Sequence, residues 1–139
     1  MTFSLHVTSV DVKLIDKAAV HRAMAGRYLD IVQGTFGANG QNRPTVWSPL
    51  SPAYAKRVKP PVPTLFRKGT LFQSLRATFS EAQGTVWTDL PIAEFHQFGT
   101  SKMPARPFFP FYRDGSPTQF AVAEVTKAAS SAIARKQRR

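Results

Sequence analysis

Proline placement is the strongest constraint on this chain. Proline holds φ at about −65° and has no N–H to give, so it opens helices readily, tolerates sheet edges and is excluded from the interior of either element. Three prolines stand where a helix can begin: Pro52 in SPLSPAYAKR, Pro91 in LPIAEFHQFG and Pro117 in GSPTQFAV. At the first helical position the missing N–H costs nothing. These positions predict a short helix from Pro52 to about Arg57, a second over residues 91–98 stopped by Gly99, and a long one over residues 117–137 capped by Ser116. Elsewhere proline forbids regular structure. KPPVP forces extended or polyproline geometry. The three prolines of Met103–Phe111 (MPARPFFPF) keep that segment from being a central strand throughout and make it an edge strand or an extended arm.

Where proline is absent, hydrophobic periodicity takes over. Residues 3–9 alternate, with Phe3, Leu5 and Val7 on one side, as in a strand with one buried face. Asp11 can cap a helix running from Val12 to about Gly34, with Leu14, Ala18, Ala25, Leu29 and Val32 on one apolar stripe. Gly34, Gly37 and Gly40 are expected to end it. Residues 35–64 read as an extended loop and residues 103–112 as an extended arm. Thr70–Leu75 reads as a turn or two of helix, and residues 75–80 with the segment near Thr85–Trp87 as a β-hairpin. The last helix draws its apolar side from Phe120, Val122, Ala123, Val125, Ala129 and Ile133. Strands and helices do not alternate as in a doubly wound sheet. The class expected is therefore α+β, a small antiparallel sheet packed by two long helices, in a single domain over residues 1–139.

Chemistry is sparse. The eight Asp and Glu residues are scattered, with no pair spaced for acid–base work. No two of the three histidines, His6, His21 and His96, lie a helical turn apart as metal ligands would. There is no cysteine, no GxSxG elbow and no phosphate loop. No catalytic residue, cofactor or metal site is expected. His96, in EFHQFG, reads as a packed histidine with its ring nitrogens satisfied by backbone, rather than a base helped by Glu94 or Gln97. The eleven phenylalanines supply much of the core-forming bulk. Those of RPFFPFYR could stack on bases, but proline alternating with phenylalanine more simply fills a core or plugs a neighbouring hydrophobic groove. Residues 1–16 lack a long apolar stretch behind a basic start, so no signal peptide is expected, and no window is long and apolar enough for a membrane span. The net charge of +11 points to a polyanionic or acidic neighbour. The closing Arg135, Lys136, Arg138 and Arg139 could meet DNA phosphates or acidic protein, or stay solvated.

Four segments carry a resemblance. They are TVWSPLSPAYAKR, TLFRKGTLFQSL, AEFHQFGTSKMPARPFFPF and the closing basic helix. Their order and content resemble the phage virion morphogenesis, or tail completion, family of Mu-like and related tailed phages. The residues carrying it are Trp47, Pro49, Leu50 and Ser51; Leu65, Gly69, Leu71 and Ser74; Ala93, His96, Gln97, Phe98 and Gly99; and Pro104, Ala105, Arg106, Pro107 and Phe108. The resemblance implies a non-enzymatic virion protein, put together in the host cytoplasm, that completes the tail and joins it to the head at the neck. It implies a homo-oligomeric ring, a hexamer by preference, against adjacent neck and tail-tube proteins, with DNA in the channel a further contact and no membrane. The alternative kept beside it is a basic nucleic-acid-binding module.

Overall fold

The computed structural model describes residues 1–6, 16–37, 47–57, 65 and 69–137. Its elements are, in chain order, β1 (Thr2–Leu5), α1 (Lys17–Gly37), α2 (Pro52–Arg57), α3 (Thr70–Ser74), β2 (Arg76–Phe79), β3 (Gly84–Trp87), α4 (Ile92–Phe98) and α5 (Gln119–Gln137). They fall into two compact units that alternate along the sequence. The first holds Met1–Ile31, Leu75–Thr88 and Gln119–Arg139; the second holds Val32–Ser74 and Asp89–Thr118.

The first unit is the α+β body: a three-stranded antiparallel sheet packed against the two long helices α1 and α5. The sheet order is β1-β3-β2, so β3 is central, and Val86 pairs with Phe3 on one side and Ala77 on the other. The hairpin between β2 and β3 closes through Ser80. Its N–H donates to the Gln83 carbonyl, and its Oγ accepts from the N–H groups of Ala82 and Gln83. Such a side-chain turn suits Ser on physical grounds. β1 covers residues 2–5 of the strand expected over 3–9; residues 7–9 lie outside the described part.

Helix α1 departs from expectation at both ends. Asp16 caps it as described from Lys17: Asp16 Oδ1 accepts from the Ala19 N–H at 3.1 Å, and its carbonyl from Val20. Asp11 and Leu14 lie outside the described residues. Gly34 sits within the helix, which continues to Gly37, because helical propensity penalises one glycine by only about 1 kcal/mol and burial of Thr35 and Phe36 outweighs that. The buried face is also rotated from the expected stripe. Ala25 and Val32 of that stripe are buried, joined by Val20, His21, Met24, Tyr28 and Ile31, whereas Ala18 and Leu29 are only half-buried at its margin.

Close approach of α1 to the sheet is set by Gly84. A Cβ there would lie 2.8 Å from the His21 carbonyl oxygen and 3.1 Å from Ala25 Cβ. His21, buried at this contact, has its Nδ1 3.0 Å from the Ser80 carbonyl oxygen. Helix α5 begins at Gln119, two residues later than expected. Ser116 instead bonds to Asp114 through both its N–H and its hydroxyl, and Pro117 bridges Phe111. These contacts close a turn in which Gly115 takes φ 89°. Val125 is buried as expected, but Ala121 joins it, while Phe120, Val122 and Ala123 face solvent. Glu124 of α5 pairs with Arg27 of α1 at 2.9 Å and with Lys127 at 3.1 Å, and these bonds hold its carboxyl below the usual range.

The second unit is built on aromatic rings. Phe36, in the last turns of α1, packs edge-on against Trp47 at 6.0 Å and Phe72 at 5.5 Å, and lies 5.8 Å from Phe108. Phe108, Phe109, Phe111 and Phe98 continue the chain of rings at 5.2–6.2 Å. The short helices α2, α3 and α4 stand where their prolines and apolar residues predict. Residues 35–37 of the expected 35–64 loop are helical, and residues 38–46 and 58–64 lie outside the described part. Residues 103–112 are extended, but residues 106–111 are buried within this unit, so the rings fill their own core rather than project as an arm.

Gly84→Ala is expected to push α1 off the sheet. The cost should be about 1–3 kcal/mol, read as a melting temperature lower by roughly 3–10 °C in thermal unfolding. Gly26→Ala, which meets nothing within 4 Å on the same helix, should be neutral or stabilising.

Candidate interaction site

Three motif segments meet in the second unit, each arriving on a different element. Trp47, Pro49 and Leu50 precede α2; His96, Gln97, Phe98 and Gly99 form the end of α4 and its stop; Pro104, Arg106, Pro107 and Phe108 lie on the extended segment. The bonds among them are side chain to backbone. Gln97 sits 3 % exposed. Its Oε1 accepts from the N–H groups of Phe108 and Phe109, both at 3.0 Å, and its Nε2 donates to the Phe109 carbonyl at 3.1 Å. Trp47 Nε1 donates to the Pro107 carbonyl at 2.7 Å, and Thr35 Oγ1 to the Phe108 carbonyl at 3.3 Å. Arg106 donates through Nε to the Ser48 carbonyl and through Nη2 to the Pro49 carbonyl, each at 2.9 Å, while its own N–H reaches the His96 carbonyl at 2.7 Å.

Gly99 completes this frame. It ends α4 with φ 74° and ψ 174°, and a Cβ would lie 2.7 Å from the Ala105 nitrogen. Only glycine both adopts that φ freely and lets the extended segment come so close. The spacing His-Gln-Phe-Gly followed by Pro-Ala-Arg-Pro-Phe is thus a folding device. It returns the chain across the end of a helix and ties it down without a second strand.

One face of the frame is open. A groove of about 760 Å³ runs between the Pro49–Arg57 segment, Leu65, the Gly69–Leu71 stretch, α4 and residues 102–106. Leu50, Leu71, Ile92 and Met103 supply aliphatic wall; Arg57, Lys102, Arg106 and His96 supply its polar and cationic groups. Of the motif residues, Pro49, Leu50, Ser51, Leu65, Gly69, Leu71, His96, Pro104 and Arg106 line the groove. Gln97, Trp47, Pro107 and Phe108 are buried. Gly69 is buried with φ 74° beside α3. Ile92 and Phe95, one turn apart on α4, expose 45 % and 52 % of their surface.

His96 departs from expectation. Its buried Nδ1 has no hydrogen-bond partner among the described residues. Burial lowers its pKa first, and the nearby Arg106 guanidinium lowers it further. Burial likewise pulls the Arg106 guanidinium below its ordinary value. No group of His, Asp and Glu among the described residues is placed to hold a metal ion. The basic end lies elsewhere. Arg135 is exposed on α5 in the first unit and lines a groove of about 970 Å³ with Arg22, Arg27, Asp16 and Asp30 over a floor of Ala19, Ala23, Gly26, Ala128 and Ala132. Lys136 falls in the last turn of α5, and Arg138 and Arg139 lie outside the described residues. No helix among the described residues is long and apolar enough to cross a membrane.

The sequence model of the phage virion morphogenesis family matches the chain over residues 3–130. No curated protein and no solved structure matches it.

Two outcomes follow from this geometry. Gln97→Met keeps the bulk and strands the Phe108 and Phe109 N–H groups. It should cost about 3 kcal/mol or more in chemical denaturation, whereas Phe95→Gln on the exposed face of the same helix should stay within about 0.5 kcal/mol. The second concerns pH. Above the ordinary histidine value of 6.5, His96 is neutral folded and unfolded alike. As pH falls through that value the unfolded chain takes up a proton that the folded site resists. Stability should therefore drop on acidification until the lowered folded pKa is reached. Melting curves from about pH 7.5 to about pH 5.5 should show the decline, and His96→Gln should flatten it.

Proposed function

The chain belongs to the phage virion morphogenesis family, and from that footing we propose that it completes the tail of a tailed phage and joins it to the head at the neck as a ring. The family gives the coarser part outright: a structural or assembly role in the virion. The finer part rests on one observation. The polar side chains of the motif residues Trp47, Gln97 and Arg106 are spent on backbone and frame an apolar, cation-rimmed groove. A frame with an open docking face is what a subunit needs in order to join adjacent neck and tail-tube proteins. The +11 charge suits a channel that passes DNA or rings with acidic faces. A hexamer is the ring expected, as for other neck and tail-end subunits.

The test has two readouts. Native mass spectrometry of the purified chain, at concentrations up to those reached in an infected cell, should find an assembly sixfold the 15.4 kDa subunit. Cryo-electron microscopy of intact particles should find the chain between tail tube and head, and particles made without it should be separate heads and tails. A chain that stays monomeric and is missing from finished particles would contradict the proposal. So would salt-dependent DNA binding as its only activity.

A further inference from the structure

Arg106 raises a question that its structural bonds do not answer. The residue is 8 % exposed, and its Nε and Nη2 are spent on backbone carbonyls. Among the described residues no carboxylate pairs with it; the ion pairs there are those of Glu124 with Arg27 and Lys127 in the other unit. A buried cation without a counter-ion is costly, and proteins rarely keep one without a use. Arg106 lines the open groove together with the exposed Arg57 and Lys102, and among the described residues no Asp or Glu lines it.

The wider sequence deepens the imbalance. No Asp or Glu occurs between Asp30 and Glu81, a stretch holding seven Lys and Arg. In the second unit the acids are Asp89, Glu94 and Asp114, none of which lines the groove, and Asp114 is bonded to Ser116. A positive potential over this groove is therefore built in and not cancelled locally. The wall beneath it is aliphatic, from Leu50, Leu71, Ile92 and Met103. His96 adds a buried ring nitrogen with no partner among the described residues.

We infer that this groove is the docking site for an acidic, aliphatic segment of a partner protein, whose carboxylates meet Arg106, Arg57 and Lys102 while its apolar side chains fill the wall between Leu50 and Ile92. Charge complementarity selects that occupant. A second copy of this chain, at +11, would bring mostly like charge. Nucleic acid would bring anions but also sugars and bases, which call for an open basic track and exposed stacking rings rather than an aliphatic trough. An alternating acidic and apolar peptide satisfies both the rim and the wall. The assignment rests on the groove's own chemistry and stands apart from whether the chain forms a neck ring.

The experiment uses the full chain and a rim-inverted variant, Arg57→Glu with Lys102→Glu. Both positions are exposed, so the variant should fold, which a melting curve checks. A displayed library of random peptides about twelve residues long is selected on the full chain and counter-selected on the variant. The peptides recovered should carry Asp or Glu beside Leu, Ile, Val or Phe. Their affinity by fluorescence polarisation should fall about tenfold or more on the variant and on replacement of their acids by Asn and Gln. Met103→Glu, which charges the wall, should weaken them as much. Recovery of uncharged or basic peptides, or binding indifferent to the rim, would overturn the inference. So would displacement of the peptides by a DNA duplex at equal charge concentration, or a self-association of the wild-type chain that the rim variant abolishes.

Discussion

Among the described residues, 106–111 belong to no strand, and the carboxamide of Gln97 takes several of their backbone hydrogen bonds. An extended segment with three prolines cannot zip into a sheet, yet its buried amides and carbonyls must be satisfied somewhere. One side chain, placed at the end of α4, accepts from two successive N–H groups and donates to a carbonyl. Trp47 and Thr35 take two of the remaining carbonyls. With those bonds made, Phe108, Phe109 and Phe111 can sit in the interior and Phe36 can close over them. Arg106 then reaches back to the chain before α2 and fixes the floor of the groove. Remove the carboxamide and the aromatic core of the second unit loses the backbone on which it is strung.

The first unit is stabilised differently. Its sheet is small, its strands are four residues each, and the β2 edge is mostly exposed. What holds it is contact with α1 at Gly84 and the buried run Val20, Met24, Tyr28 and Ile31 along that helix. Arg22 lies over the exposed Phe79 ring at 5.8 Å, and Glu124 draws together Arg27 and Lys127. Such surface pairs are worth little each. They use one of only eight carboxylates, while Arg22, Arg57, Lys102, Arg113 and Arg135 stay exposed.

Legibility in the sequence followed the strength of local rules. Pro52, Pro91 and Gly99 act through a fixed φ, a missing donor or a left-handed conformation, all properties of the residue itself, and α2 and α4 stand where those residues put them. The hairpin and the α+β class followed from alternation and element order. Helix ends were harder. Asp11 and Asp16 are equally good caps in sequence, and only the bond from Ala19 separates them. The face of α1 is legible only in part: Ala25 and Val32 are buried as apolar residues should be, but so are His21 and Thr35, satisfied by the Ser80 and Phe108 carbonyls, while Ala18 and Leu29 stay at the margin. The same long-range satisfaction hid the roles of Gln97 and Arg106. Their partners lie 11 or more residues away, and a polar side chain in sequence carries no sign that it will bind backbone. The acid-free run between Asp30 and Glu81 was visible throughout, but its meaning depended on which of its cations line a groove.

Gln97, with Trp47 and Arg106, clamps the backbone of the extended segment and of the chain before α2. Native-state hydrogen exchange of the Phe108 and Phe109 amides tests this clamp most directly. The account predicts that both exchange only with global unfolding, as slowly as the interior of α1, and that Gln97→Met brings their exchange forward while leaving that helix protected. Rapid exchange of those two amides in the native chain, beside a protected α1, would contradict it.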